Sequence, residues 1–185
     1  PLDGRLVTVG IDNTAGWRTA VQLFNVEDPK KPALLSKVIL GEQYSSSEAN
    51  FDEKAFGVLP ESNLILVPYS TAGSVGSFQG VHLIDLERNT LRKRGAIEHE
   101  LQARRATVHH DRILSLSGVE LLSVDATDRD HPRIVAKTEL SWAADRLFLA
   151  CSHLIEISEK WGSPVSVSVV PADAPAKVHQ QVSLS

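Results

Sequence analysis

The sequence has a single cysteine, no methionine and no long apolar run. Cys151 is the only cysteine among 185 residues, so an intrachain disulfide is excluded. We expect this residue to be a small buried side chain within a strand. No apolar stretch approaches the roughly 20 residues that cross a bilayer, and none repeats at helical period. The sequence therefore predicts neither a membrane span nor a sustained amphipathic helix.

The sequence also has no large excess of basic or acidic residues. The formal net charge is −4, from 19 basic and 23 acidic residues. Because a nucleic-acid partner needs a positive field, we expect no nucleic acid to bind. The chain begins at Pro1 in the middle of a strand pattern. We therefore expect a processed or truncated piece of a longer protein, with the missing N-terminal portion of that protein as one partner.

What the sequence does contain is a repeated β pattern. Residues 81–86 read VHLIDL, a short apolar strand with an acidic residue at its fifth position. Versions of this strand recur at residues 21–26, 121–126 and 152–157. After two copies the turn also repeats, and its two triplets are Asn25, Asp28 and Pro32, and Asp125, Asp128 and Pro132. We interpret this as a turn that caps its own backbone rather than as a calcium loop.

Each copy is the third strand of a unit of four antiparallel strands. Such a unit is typical of a β-propeller blade, and a β-sandwich, which would not need the recurrence, is the alternative. We predict an all-β chain with about four blades, or the C-terminal part of a larger propeller. The predicted parts are blades at 1–41, 54–98, 103–140 and 142–171, and a C-terminal strand at 177–184.

The first unit lacks an inner strand, and the C-terminal strand lacks a blade. Inner strands are expected at 54–59 and 103–109, with a short one around Trp142. If the tail at 177–184 paired beside residues 6–9, the blades would close into a ring. Because the chain begins in mid-blade, we favour the interpretation that it is the last part of a larger ring.

Three segments resemble a known family. LFNVEDPKKP at 23–32, SSSEANFDEKAF at 45–56 and IEHE at 97–100 are similar to motifs of secreted bacterial and archaeal proteins with a C-terminal β-propeller distantly related to WD-type repeats. At Glu53 the sequence departs from the family pattern, which has a histidine there. The resemblance implies a propeller fold and an extracytoplasmic location, but it implies no established activity.

The longest predicted connections fall on one face of such a fold. They lie at residues 11–20, 42–53, 69–80 and 99–102. The connections on the opposite face are short. Because long loops on a rigid scaffold usually carry binding, we expect any function to lie on the long-loop face.

The candidate ligand-binding residues lie in these connections. They are Trp17, Ser47, Glu48, Asp52, Lys54, His99 and Glu100. Glu48 and Asp52 are the candidate metal ligands, because hard oxygen ligands suit Ca²⁺. Alternatively, the serines and carboxylates only cap loop backbone. Five aromatic residues could stack on a sugar or peptide or hold the loops down: Trp17, Tyr44, Phe51, Tyr69 and Phe78.

No complete catalytic signature is present. Our first hypothesis is therefore a binding module that recognises a protein or glycan partner with its long-loop face. The alternative is a metal-assisted hydrolase or lyase that uses Glu48, Asp52 and His99 on the same face. A third hypothesis is a structural spacer between other domains.

Overall fold

A computed structural model describes residues 4–73, 76–140, 144–159, 164–174 and 180–184. The chain divides into two compact units, residues 1–140 and 141–185. Both units consist of antiparallel sheets. In the described part of the chain, no helix is long and apolar enough to cross a membrane.

The first sheet has three strands in the order β1 (Arg5–Asp12), β2 (Arg18–Asn25) and β3 (Ala33–Leu40). Apolar residues alternate along β1 and β2, which is the period of a half-buried strand. The two strands pair as far as Asp12 and Arg18. The long loop expected at 11–20 is therefore shorter than predicted, because both strands continue into it and leave only residues 13–17 to connect them.

The second sheet contains β4 (Tyr44–Ser46), β5 (Gly57–Leu59), β6 (Leu64–Gly73), β7 (Gly76–Leu86) and β8 (Leu91–Glu98). The order is β4-β6-β7-β8, and β5 pairs with the same strand, β6. Single 3-10 turns occupy Glu48–Asn50, Glu53–Ala55 and Pro60–Ser62.

Two expectations for this sheet were wrong in detail. The inner strand expected at 54–59 begins earlier, at Tyr44, and is split into β4 and β5 by the connection 47–56. The loop expected at 69–80 is mostly a hairpin, because β6 and β7 pair as far as Gly73 and Gly76. Its small and polar residues suggest a loop, but the stretch also contains Tyr69, Thr71 and Phe78, which are residue types that favour strands.

The third sheet has the predicted four strands, in the order β12 (Arg133–Glu139), β11 (Glu120–Asp125), β10 (Arg112–Ser117) and β9 (Ala103–His109). The repeated turn is confirmed. Asn25 Oδ1 accepts a hydrogen bond from the Glu27 N–H at 2.9 Å, and Asp125 Oδ1 accepts one from the Thr127 N–H at 3.0 Å. These side chains cap their own backbone, as short polar side chains do in turns.

Two apolar clusters hold the first unit together. One joins the first and second sheets and is centred on residues such as Val21, Leu23 and Ile65. The other joins the second and third sheets and contains Leu66, Leu83 and other buried residues. Each fully buried aliphatic side chain contributes about 1.5–3 kcal/mol relative to exposure. The three sheets are therefore stacked by their faces, and their ends are left to present connections.

The second unit is a separate four-stranded sheet. Its order is β13 (Arg146–Ala150), β14 (His153–Ser158), β15 (Val165–Pro171) and β16 (Gln180–Leu184). The C-terminal strand β16 pairs with β15 and completes this sheet. The pairing of the tail beside residues 6–9 stays a prediction. The inner strand expected around Trp142 lies outside the described residues.

The prediction for Cys151 was also wrong. The residue is exposed, and its φ of 56° places it in the turn between β13 and β14 rather than inside a strand. The apolar run that suggested a buried strand ends one residue earlier, at Ala150.

Candidate functional site

The expected crowding of connections is found at one end of the first unit, which we call the loop end. It carries the turn 13–17, the connection 47–56 and the connection 99–102. Backbone hydrogen bonds tie the first of these to residues 43–45: the Trp17 N–H donates to Gln43 O at 3.0 Å, and the Ser45 N–H donates to Trp17 O at 2.8 Å. The connection 99–102 is tied to β7, because the His99 N–H donates to Gln79 O at 2.8 Å.

Gly16 permits this close approach. Its φ of 113° lies in the region that favours glycine, and a Cβ at this position would stand 2.2 Å from Gln43 O. Any side chain here would force the turn 13–17 away from residue 43. The turn is therefore held by a backbone contact that only glycine allows.

Two serines of the segment 45–56 hold the loop end in place through buried hydrogen bonds. Ser45 Oγ donates to Leu40 O at 2.5 Å and accepts from the Thr19 N–H at 2.7 Å. Ser47 Oγ donates to Pro68 O at 2.5 Å and caps the first 3-10 turn by accepting from the Ala49 N–H at 3.2 Å. Both serines are fully buried. Ser47, a candidate ligand-binding residue, therefore has its hydroxyl engaged inside the protein.

Asp52 caps the second 3-10 turn. Its Oδ1 accepts from the Lys54 N–H at 2.9 Å, and its Oδ2 pairs with Arg105 Nη2 at 2.8 Å. The hydrogen bond from the Lys54 backbone, assisted by Arg105, holds the pKa of Asp52 below its ordinary value. The Lys54 side chain is exposed, and Arg105 is the cation that pairs with Asp52.

The calcium site expected at Glu48 and Asp52 stays a prediction. Both carboxylate oxygens of Asp52 have protein partners, and Glu48 Oε2 accepts from Gln102 Nε2 at 3.0 Å. Within the described ranges, no group of three or more histidine, cysteine, aspartate or glutamate residues is arranged to hold a metal ion. The observed contacts are those of the alternative reading, in which carboxylates cap and tie the loop.

His99 lies at the centre of a buried polar network. Its Nδ1 contacts Glu120 Oε1 at 2.9 Å and its Nε2 contacts Ser115 Oγ at 2.7 Å. Lys137 Nζ lies 2.9 Å from Glu120 Oε2. Burial lowers the pKa of His99, although Glu120 opposes this effect. Burial would raise the pKa of Glu120, but hydrogen bonds from the Glu100 N–H, Lys137 and His99 hold it below its ordinary value.

This network is not a catalytic centre. A serine, a histidine and a carboxylate in hydrogen-bond contact have the order of a hydrolase triad. However, Ser115 is fully buried and the side chain of His99 is fully covered. No substrate can reach the hydroxyl, so the network fixes the connection 99–102 on the third sheet.

Glu100 extends the network to the surface, where its carboxylate pairs with Lys137. Hydrogen bonds with Glu100 and Glu120 raise the pKa of Lys137. Sequence reasoning missed Ser115, Glu120 and Lys137. They lie 16 to 38 positions after His99 in the chain, and only the pairing of β9 to β12 brings them together.

The hydrolase or lyase alternative gains no support from this geometry. It requires Glu48, Asp52 and His99 around one metal, whereas each of the three contacts a different partner: Gln102, Arg105 and Glu120 respectively. It stays a prediction. Turnover of a glycan or ester substrate by the wild-type chain but not by Asp52→Ala would support it.

The five aromatic residues fall into two groups. Tyr69 is buried, and its ring centroid lies 5.0 Å from that of Phe78, so this pair holds the β6–β7 hairpin down. Trp17, Tyr44 and Phe51 are 51%, 50% and 87% exposed. Trp17 and Tyr44 are neighbours through an isolated β-bridge. The loop end therefore presents three large apolar side chains to solvent.

A cavity opens between the connections 47–56 and 99–102. It has a volume of about 270 Å³ and is lined by Glu48, Gln79, Leu101, Gln102, Arg104 and Gly118. We call it the loop cavity. Of its lining residues, only Glu48 was a candidate from the sequence.

A larger cavity of about 430 Å³ lies at the short-turn end, beside Asp85 and Arg129. The guanidinium of Arg129, which lines this cavity, already has protein partners. Arg129 donates to Ser62 O at 2.7 Å and pairs with Asp85 at 2.5 Å. These bonds join the second and third sheets, so we interpret this cavity as part of a structural brace.

Comparison with known proteins agrees with the strand arrangement. A family model described as a beta propeller domain matches residues 2–117, which is more than half of the chain. No curated protein matches the chain. The match supports the propeller prediction over the β-sandwich.

Proposed function

We propose that this chain, which belongs to the β-propeller domain family, is a binding module that recognises a partner with its loop end. The observation that carries the proposal is the exposure of Trp17, Tyr44 and Phe51 on that end. Exposed aromatic side chains that cluster on one surface are typical of interaction sites, because their burial by a partner is strongly favourable.

The backbone beneath these side chains is firmly held. The anchors are the buried hydroxyls of Ser45 and Ser47, the contact at Gly16 and the network around His99. A surface that is fixed before binding loses less conformational entropy when the partner arrives. This arrangement supports recognition by a rigid surface rather than by a loop that orders on contact.

The partner we propose is a protein or a glycan. The loop end mixes carboxylates with arginines, as in the pair of Asp52 and Arg105, so it has no uniformly positive field for nucleic acid. The resemblance to secreted proteins supports an extracytoplasmic location, where such partners occur.

The test is a binding screen of the full chain against arrayed glycans and purified extracellular proteins. Phe51→Ala and Trp17→Ala should each weaken the best hit at least tenfold, because a truncated aromatic anchor costs about 2 kcal/mol or more of binding free energy. Leu34→Ala and Ile134→Ala are matched controls, since these side chains are 52% and 53% exposed away from the loop end. Equal loss in all four variants would refute the proposal.

A further inference from the structure

The loop cavity carries opposite charges that do not neutralise each other. Glu48 and Arg104 both line it, yet no nitrogen–oxygen pair between them lies within 4.0 Å. Among the described residues, Arg104 makes no ion pair or hydrogen bond, and Glu48 Oε1 accepts none. An exposed guanidinium and a half-buried carboxylate that do not pair with each other therefore line one cavity that is open to solvent.

Charged residues near the cavity, in contrast, form ion pairs with each other. Asp52 pairs with Arg105 at 2.8 Å, and Glu120 pairs with Lys137 at 2.9 Å. These two ion pairs show that carboxylates and cations at the loop end pair where they lie within contact distance. Glu48 and Arg104 do not pair with each other, so a ligand that carries both an anion and a cation is suited to contact both side chains.

The remaining lining residues narrow the ligand class. Gln79 and Gln102 present side-chain amides, which both donate and accept hydrogen bonds as a peptide group requires, and Leu101 adds an apolar wall. A volume of about 270 Å³ is at the small end of ligand pockets, with room for roughly one or two amino-acid residues. A neutral sugar would leave the guanidinium without an anion, which makes a charged ligand the better match.

The walls of the cavity are fixed in advance. Leu101 and Gln102 belong to the connection that His99 anchors to Glu120, and the His99 N–H bonds to the backbone of Gln79. Gln102 in turn holds Glu48 through its side-chain amide. The cavity therefore has the preorganised donors and acceptors that a small polar ligand needs.

We propose that the loop cavity binds a small zwitterion of the amino-acid class, a free amino acid or a short peptide, with its carboxylate on Arg104 and its ammonium on Glu48. This inference rests on the proposed function, because it assigns a ligand class to the same end of the molecule. A guanidinium can hold a carboxylate through two hydrogen bonds, and such charge-assisted bonds are about twice as strong as neutral ones.

The test is a calorimetric titration of the full chain with leucine and with the dipeptide Leu-Ala, followed by the N-acetylated and C-amidated form of each. Saturable binding of either zwitterion, weakened at least tenfold by each blocking group, is the expected result. Preference for leucine over Leu-Ala, or the reverse, identifies whether a free amino acid or a peptide is the ligand.

Variants assign the two charges. Arg104→Gln and Glu48→Gln should each weaken binding at least tenfold, while thermal melts confirm folding. Lys54→Gln and Glu53→Gln are matched controls, because they remove the same charges from exposed side chains on the connection 47–56 and should change binding less than twofold. Equal effects of cavity and control variants would overturn the assignment.

Absence of heat at millimolar concentrations of both zwitterions, or equal binding of the blocked forms, would also overturn it. Partner binding that still depends on Trp17 and Phe51 would then leave the proposed function standing.

Discussion

His82 offers the sharpest test of the packing between the first and second sheets. It lies on β7, is 4% exposed, and has no hydrogen-bond partner on either ring nitrogen among the described residues. The Tyr69 ring meets it edge-on, with centroids 5.5 Å apart. Burial, assisted by the charge of Lys93, lowers the pKa of His82 from 6.5 to about 4.

The sign of the pH effect follows from this lowered pKa. As pH falls below about 6.5, the His82 imidazole binds a proton in the unfolded chain but not in the folded chain. The free energy of unfolding therefore decreases. The loss continues until the folded protein is protonated near pH 4. For pKa values of 6.5 and about 4, the loss is about 2 kcal/mol between pH 7 and pH 5, and roughly 3 kcal/mol in full.

The variant His82→Leu should remove this dependence. At pH 7 it should also stabilise the second sheet by about 1–3 kcal/mol, because it removes two buried and unpaired nitrogens. Hydrogen exchange of the backbone amides of β6, β7 and β8 is the suitable assay, since it reports on this sheet without requiring the two units to unfold together. The difference between variant and wild type should grow by about 2 kcal/mol from pH 7 to pH 5.

The exposed His131 supplies the control. His131→Gln should leave the pH dependence of β7 protection unchanged. An NMR titration that places the imidazole of His82 near its ordinary pKa of 6.5 would refute the reasoning. So would equal losses of protection in wild type and His82→Leu.

Two further predictions concern the anchors of the loop end. Ser47→Ala should lower the free energy of unfolding by about 1–2 kcal/mol in urea titration, because it removes a cap and leaves the buried Pro68 carbonyl without its donor. An unchanged midpoint would contradict this role. Gly16→Ala should cost about 1–3 kcal/mol and expose Trp17 further to acrylamide quenching, whereas Gly10→Ala, where a Cβ meets nothing within 4 Å, should have neither effect.

Much of the strand arrangement could be predicted from local sequence. The alternation in residues such as Val7, Val9 and Leu23 has the period of a strand, and the turn after Asn25 recurs after Asp125 because both side chains cap the backbone two residues on. Each of these patterns lies within one strand or one turn, so it can be recognised in the sequence without knowledge of the fold.

Lengths of loops and the inner strand of the second sheet could not be predicted in the same way. Residues 70–72 pair with residues 77–79 in the hairpin and also with residues 44–46, and the second pairing spans more than 20 positions. A polar stretch such as SSSEAN has no strand period of its own. Its three-residue strand β4 exists only because the extended β6 offers it an edge.

For the candidate site, too, local sequence identified the connections, whereas the burial of each side chain depends on strands that are distant in the chain. Sequence reasoning predicted that the connections crowd at one end of the fold, and it named several residues on that end, including Trp17 and Glu48. It did not separate anchors from exposed groups, because Ser47 and His99 differ from their neighbours only in being buried by distant strands. Arg104 was not a candidate, since its lack of an ion pair among the described residues is a property of the folded structure.

The distribution of polar groups explains how this end of the molecule can be both exposed and ordered. Three large aromatic side chains of the loop end are exposed, while buried hydroxyls at Ser45 and Ser47 hold the backbone near them. The carboxylate of Glu120 holds the neighbouring connection 99–102. Stability and binding are thus supplied by different side chains of the same connections. An anchor variant should consequently weaken partner binding without touching the partner, whereas Phe51→Ala should weaken binding and leave the melting temperature unchanged.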